Sequence, residues 1–88
     1  MDVILPAPGA GPEAEYARAL LLEELQTAID ELPAKQRLVF IAHELEGKSF
    51  REMSDESGTS VNTLLARKRY AVAYLRTRLR DAFENLES

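Results

Sequence analysis

Four positions in this 88-residue chain, Asn62, Ala66, Arg69 and Ala73, combine residue type and spacing in a way that suits hydrogen-bond recognition rather than bond making. At about 100° per residue they fall on one side of a helix, with Thr63, Leu65 and Tyr70 flanking them. An Asn amide can pair with the edge of adenine and an Arg fork with guanine. Methyl or aromatic groups meet thymine methyls, and alanines let a helix approach closely. Arg67 and Lys68 stand at the sides of this face, placed for phosphates, as are Phe50 and Arg51 through the start of the preceding helix. The same spacing also fits a basic helix that is merely solvated and balances its own dipole, and the pattern alone does not separate the two.

The stretch from Gly47 to Arg80 positions these residues. Ser49 followed three residues later by Glu52 has capping-box spacing, so a short helix should run from Phe50 to Ser57. Gly58 ends it, being able to turn left-handed without a Cβ penalty. Ser60 offers a second N-cap, and neither Gly nor Pro interrupts the chain from Val61 to Ser88. A short helix, a glycine turn and a longer helix make a helix-turn-helix. The back of the long helix is apolar: Val61, Leu64, Ala71, Leu75 and Leu79, continued by Phe83 and Leu86. Lys68 interrupts that stripe, with its stem expected over the core and its ammonium reaching outward.

Upstream, residues 1–12 are rich in Pro, Gly and Ala and read as a mobile arm or linker remnant, with Val3, Ile4 and Leu5 either docked on the body or, the simpler reading, part of a frayed end. A first helix should begin at Pro12 or Glu13 and bury Ala17, Leu20, Leu21, Leu25, Ala28, Ile29 and Leu32. Pro33 ends it, because proline drives the preceding residue out of the helical region. A second helix should run to Glu46, burying Leu38, Val39, Ile41, Ala42 and Leu45, and stop at Gly47. Phe40 lies off the centre of that stripe, either partly exposed for a partner protein or packed on the first helix. The expected fold is all-α, four helices in one domain over residues 13–88.

The net charge of −4 conceals a strong asymmetry. Residues 1–57 carry twelve acids against five bases, residues 58–80 carry six bases and no acid, and residues 81–88 carry three acids. Such a chain repels DNA weakly at long range and attracts it through one helix at short range, which suits a module delivered by something larger. Without cysteine there is no disulfide framework, thiolate metal site or thiol nucleophile. No apolar run reaches the roughly 18–20 residues that span a bilayer, and the opening MDVILP is not a secretion signal. His43 is the only histidine and is assigned to packing on the second helix or to its surface. Glu23–Glu24 and Asp30–Glu31 are adjacent pairs that do not face one another. No enzyme, cofactor, metal, membrane or small-molecule substrate is expected.

The segment from Leu32 to Arg76 closely resembles region 4 of extracytoplasmic-function sigma factors of the sigma-70 family. The shared pattern appears as Leu32-Pro33, then Gln36-Arg37-Leu38-Val39-Phe40, then His43 to Glu52, then Gly58-Thr59-Ser60-Val61-Asn62-Thr63 and a basic helix. The resemblance implies a four-helix domain of the winged-helix-like DNA-binding superfamily, whose last helix reads the −35 promoter element in a bacterial cytoplasm. It further implies two protein partners, the RNA polymerase β flap and, in many members, an anti-sigma factor. By the same resemblance Ser60, Asn62, Thr63, Ala66, Arg67, Arg69 and Tyr70 fall in the promoter-reading segment, and Arg37 and Arg51 where backbone contacts are usual. Leu65 stands where many members have a basic residue, Lys68 where many have Leu, and Tyr70 replaces a frequent Arg, so the preferred −35 sequence stays open. Region 2 of such factors has no room in 88 residues, so an excised domain is expected rather than a protein working with the −35 module alone. Two other readings stay open: a sigma-like domain that binds proteins without touching DNA, and a dimeric helix-turn-helix repressor outside the family.

Overall fold

The computed structural model describes residues 11–87, with side chains through Glu84. Residues 1–10 of the arm expected over residues 1–12, and the continuation of the apolar stripe at Leu86, lie outside what it describes. Four helices follow in order: α1 (Pro12–Glu31), α2 (Ala34–Phe40), α3 (Phe50–Ser57) and α4 (Val61–Glu87), with a single π turn (Ile41–Leu45) continuing α2.

Local chemistry sets each boundary. Pro12 is the first residue of α1, with Glu13 and Glu15 in its first turn. Leu32, ahead of Pro33, is extended with ψ 146°, and α1 stops there. The corner is closed by Arg37, whose Nη1 donates to the carbonyls of Asp30 at 3.1 Å and Leu32 at 3.2 Å. The π turn carries the Glu46 N–H back to the Ile41 carbonyl at 3.0 Å, five residues away. Gly47 then reverses the chain at φ 71°. Ser49 forms the full capping box: its Oγ accepts from the Glu52 N–H at 3.0 Å, and its own N–H donates to Glu52 Oε1 at 3.3 Å. Gly58, at φ 72°, ends α3, and Ser60 Oγ caps α4 by accepting from the Thr63 N–H at 3.2 Å.

Two apolar clusters share α4. Ala28, Ile29 and Leu32 of α1 pack with Phe40, Ala71 and Leu75, with Leu25, Ile41 and Val72 alongside. Val39, Met53 and Leu64 form the second, with Ala42 and Phe50 alongside. The near half of α4 therefore belongs to the helix-turn-helix, and its middle belongs to α1. Outside the clusters α1 is tied to α4 by Arg78, whose Nε donates to Glu31 Oε1 at 2.8 Å and whose Nη2 lies 3.3 Å from Glu24 Oε2. The Tyr74 hydroxyl donates to the same Glu31 oxygen at 2.6 Å.

α2 departs from the sequence expectation. Leu38 and Leu45, expected inside, are 67% and 66% exposed, while Phe40 takes the packed of its two readings, 3% exposed against Ala28, Ile29 and Leu32 of α1. The reason is that α2 faces both clusters at once. Adjacent Val39 and Phe40 each enter a different cluster, which turns Leu38 outward, and Leu45 follows it. Val61, at the very start of α4, is likewise on the exposed side.

Candidate nucleic-acid interface

Asn62, Thr63, Arg69 and Tyr70 are exposed on α4, and Ala66 is half-buried between them. Asn62 and Arg69 are seven residues apart, two helical turns, so their side chains leave the same face about 10.5 Å from one another. Ala66 keeps the intervening surface low. This outward face is the mirror of the inward series Leu64, Ala71 and Leu75, all at 4% exposure or less.

The cap residues do structural work beside any contact with a ligand. Ser60 Oγ donates to Thr63 Oγ1 at 2.9 Å while accepting from the Thr63 N–H, which fixes both hydroxyls at the mouth of α4. At α3 the capping box occupies the Glu52 N–H and leaves those of Phe50 and Arg51 as open first-turn donors beside the exposed Arg51 side chain. Arg67 is half-buried on the rim of a groove with Met53, Thr59 and Leu64. Among the described residues no ion pair holds Arg51, Arg67 or Arg69. Arg37 stands apart, engaged at the α1–α2 corner.

Lys68 does not reach outward as expected. Its side chain is 12% exposed, and Nζ lies 2.8 Å from Glu44 Oε1 and 2.6 Å from His43 Nδ1. The His43 ring stacks on Phe50 with centroids 4.4 Å apart. The carboxylate of the π turn draws the ammonium in, and the ammonium in turn holds the Glu44 carboxyl below its usual range. This cluster was missed at the sequence level, although its signal was there: a lysine inside an apolar stripe needs an anion, and Glu44 follows the only histidine.

The family described as Sigma-70, region 4, matches residues 22–75, well over half of the chain. The chain belongs to the sigma-70 region 4 family. Neither the curated proteins nor the solved structures gave a match. The matched span takes in the second half of α1, all of α2 and α3, and the half of α4 that carries Asn62 to Tyr70. Region 4 is a helix-turn-helix module of transcription, and the exposed polar strip of α4 is its second helix. Among the described residues no helix is long and apolar enough to cross a membrane.

Proposed function

We propose that this region 4 domain reads the −35 element of promoters for an extracytoplasmic-function sigma factor, in a bacterial cytoplasm, as part of an RNA polymerase holoenzyme. One observation carries the reading: Asn62 and Arg69 project from one exposed face of α4, with nothing among the described residues covering them. On this reading Asn62 and Arg69 contact base edges, Ala66 and Tyr70 meet the groove floor, and Ser60, Thr63, Arg67, Arg51 and Arg37 serve the sugar-phosphate backbone. An in vitro selection on randomised duplexes, with the chain bound to core polymerase, tests it. A preferred sequence that disappears with the Asn62→Ala, Arg69→Ala pair is expected. Tight polymerase binding with no sequence enriched would refute it.

The alternative is a sigma-like domain that binds an anti-sigma factor or polymerase without reading DNA. What favours a protein partner is an open groove of about 410 Å³ between α2, α3 and α4, lined by Leu38, Val39, Ala42, Met53 and Leu64. Its apolar floor and exposed Leu38, rimmed by Lys35, Glu46, Lys48, Glu56 and Arg67, suit the polymerase β flap or an anti-sigma factor, and such a contact is compatible with a free α4 face. The selection experiment separates the two, since only the DNA-reading domain enriches a sequence.

A further inference from the structure

Lys68 occupies the seam between the two apolar clusters. Leu64, one turn before it, packs with Val39 and Met53, while Ala71, one turn after it, packs with α1 and Phe40. The ammonium lies 5.8 Å from the centre of the Phe40 ring and 6.0 Å from that of Phe50, rings associated with different clusters. Its two polar partners, His43 and Glu44, are both on the π turn. A basic residue of the reading helix thus turns away from solvent and joins α4 to α2, α3 and the turn between them.

We infer that Lys68 positions the reading helix instead of touching DNA, its ion pair with Glu44 pinning α4 to the π turn and setting the angle at which Asn62 and Arg69 are presented. The inference rests on the DNA-reading role proposed above. Apolar contacts at Leu64 and Ala71 resist separation but define direction weakly. A hydrogen-bonded charge pair of low exposure defines it, because a small rotation breaks the 2.8 Å contact and leaves a charge without its partner. The π turn is the natural anchor, since the backbone between α2 and α3 is fixed there by the Lys48 N–H donating to the Ala42 carbonyl at 2.9 Å.

The test uses the full chain with core polymerase and a duplex carrying the selected −35 sequence. Lys68→Glu, which sets two carboxylates against each other, is expected to weaken binding about tenfold or more. Adding Glu44→Lys reverses the pair, and the swap is expected to recover affinity to within about threefold of the parent. Lys68→Met keeps the stem but not the charge, and should leave the salt dependence of binding unchanged, whereas Arg67→Ala lowers its slope by about one. A swap as weak as Lys68→Glu alone, or a Lys68→Met slope reduced by about one, would overturn the proposal and make the ammonium a phosphate ligand. If the parent chain prefers no sequence at all, the DNA-reading role fails. The latch is then read by thermal unfolding, where the swap should restore the melting temperature lost in Lys68→Glu and strictly additive changes would refute it. Should Lys68→Glu not fold, the swap and Lys68→Met carry the decision.

Discussion

Asn62 and Arg69 offer a test of register as well as of affinity. Seven residues of α-helix rise about 10.5 Å, and stacked bases are about 3.4 Å apart along a strand. If α4 lies along the major groove, the bases read by the two side chains are about three steps apart. Each well-formed paired contact discriminates by about 1–3 kcal/mol, or roughly fivefold to 150-fold in relative affinity. Arg69→Ala should therefore flatten discrimination at one base position and Asn62→Ala at another about three steps away, each leaving the rest of the profile intact. The assay is competition binding by polymerase carrying the chain, against duplexes substituted one base pair at a time. Loss of discrimination at the same position in both variants would refute the arrangement. So would a uniform drop across all duplexes, which is the signature of a phosphate contact.

Three other outcomes follow from the packing and charges. Leu64→Ala empties a site of 4% exposure between Val39 and Met53, and should cost about 2–5 kcal/mol, enough to unfold much of so small a domain; an unaltered melting curve would show that the cluster is not what holds α3 to α4. Arg67→Ala should weaken all duplexes alike and reduce the salt slope by about one, and a change at a single base position would contradict its backbone role. Acid should loosen the domain, because Glu44 is held below the usual carboxylate range by Lys68, and Glu31 by Arg78 and Tyr74. A depressed folded-state pKa contributes stability that is complete above the unfolded value of about 4.3 and is lost as pH falls through the depressed one. Melting temperatures should then drop below about pH 4.5, less steeply in Glu44→Gln than in the parent, and parallel curves would count against the ion pair.

What the sequence disclosed was local. Ser49 with Glu52, Gly58, Ser60 and Pro33 each dictate a boundary through their own backbone chemistry, and α1, α3 and the start of α4 fall where those residues place them. The outward strip of α4 was legible too, since Leu64, Ala71 and Leu75 meet the two clusters from the same side of the helix and one period describes them. The buried face of the second helix was legible only in part, because it serves two clusters: a one-face stripe puts Leu38 and Leu45 inside, where they are exposed. The inward swing of Lys68 meets Glu44 from 24 residues away, so the lysine's place in an apolar stripe signals the need for an anion while no spacing along the chain names it. Arg37 shows the limit at the site itself: its family position suggests a backbone contact, while its guanidinium already closes the end of α1.

The distribution of paired and unpaired cations bears on how the domain reaches DNA. Of the six bases in residues 58–80, Lys68 is held by Glu44 and Arg78 by Glu24 and Glu31. The first turns of α4 are left with Arg67 for a phosphate, joined by Arg51 from α3, on a chain whose net charge is −4. With two or three phosphates neutralised, the slope of log affinity against log salt should be about −1.8 to −2.7, and affinity should fall only about tenfold to fortyfold between about 50 and 200 mM salt. So shallow a slope means little electrostatic affinity to begin with, and the isolated chain should bind duplexes weakly at physiological ionic strength. Binding by the polymerase-bound chain should be far tighter at equal salt, because the encounter is then paid for by the larger complex. A slope of about −6 or steeper for the chain alone would mean that the ion pairs of Lys68 and Arg78 open on binding, and that the helix spends all its cations on DNA.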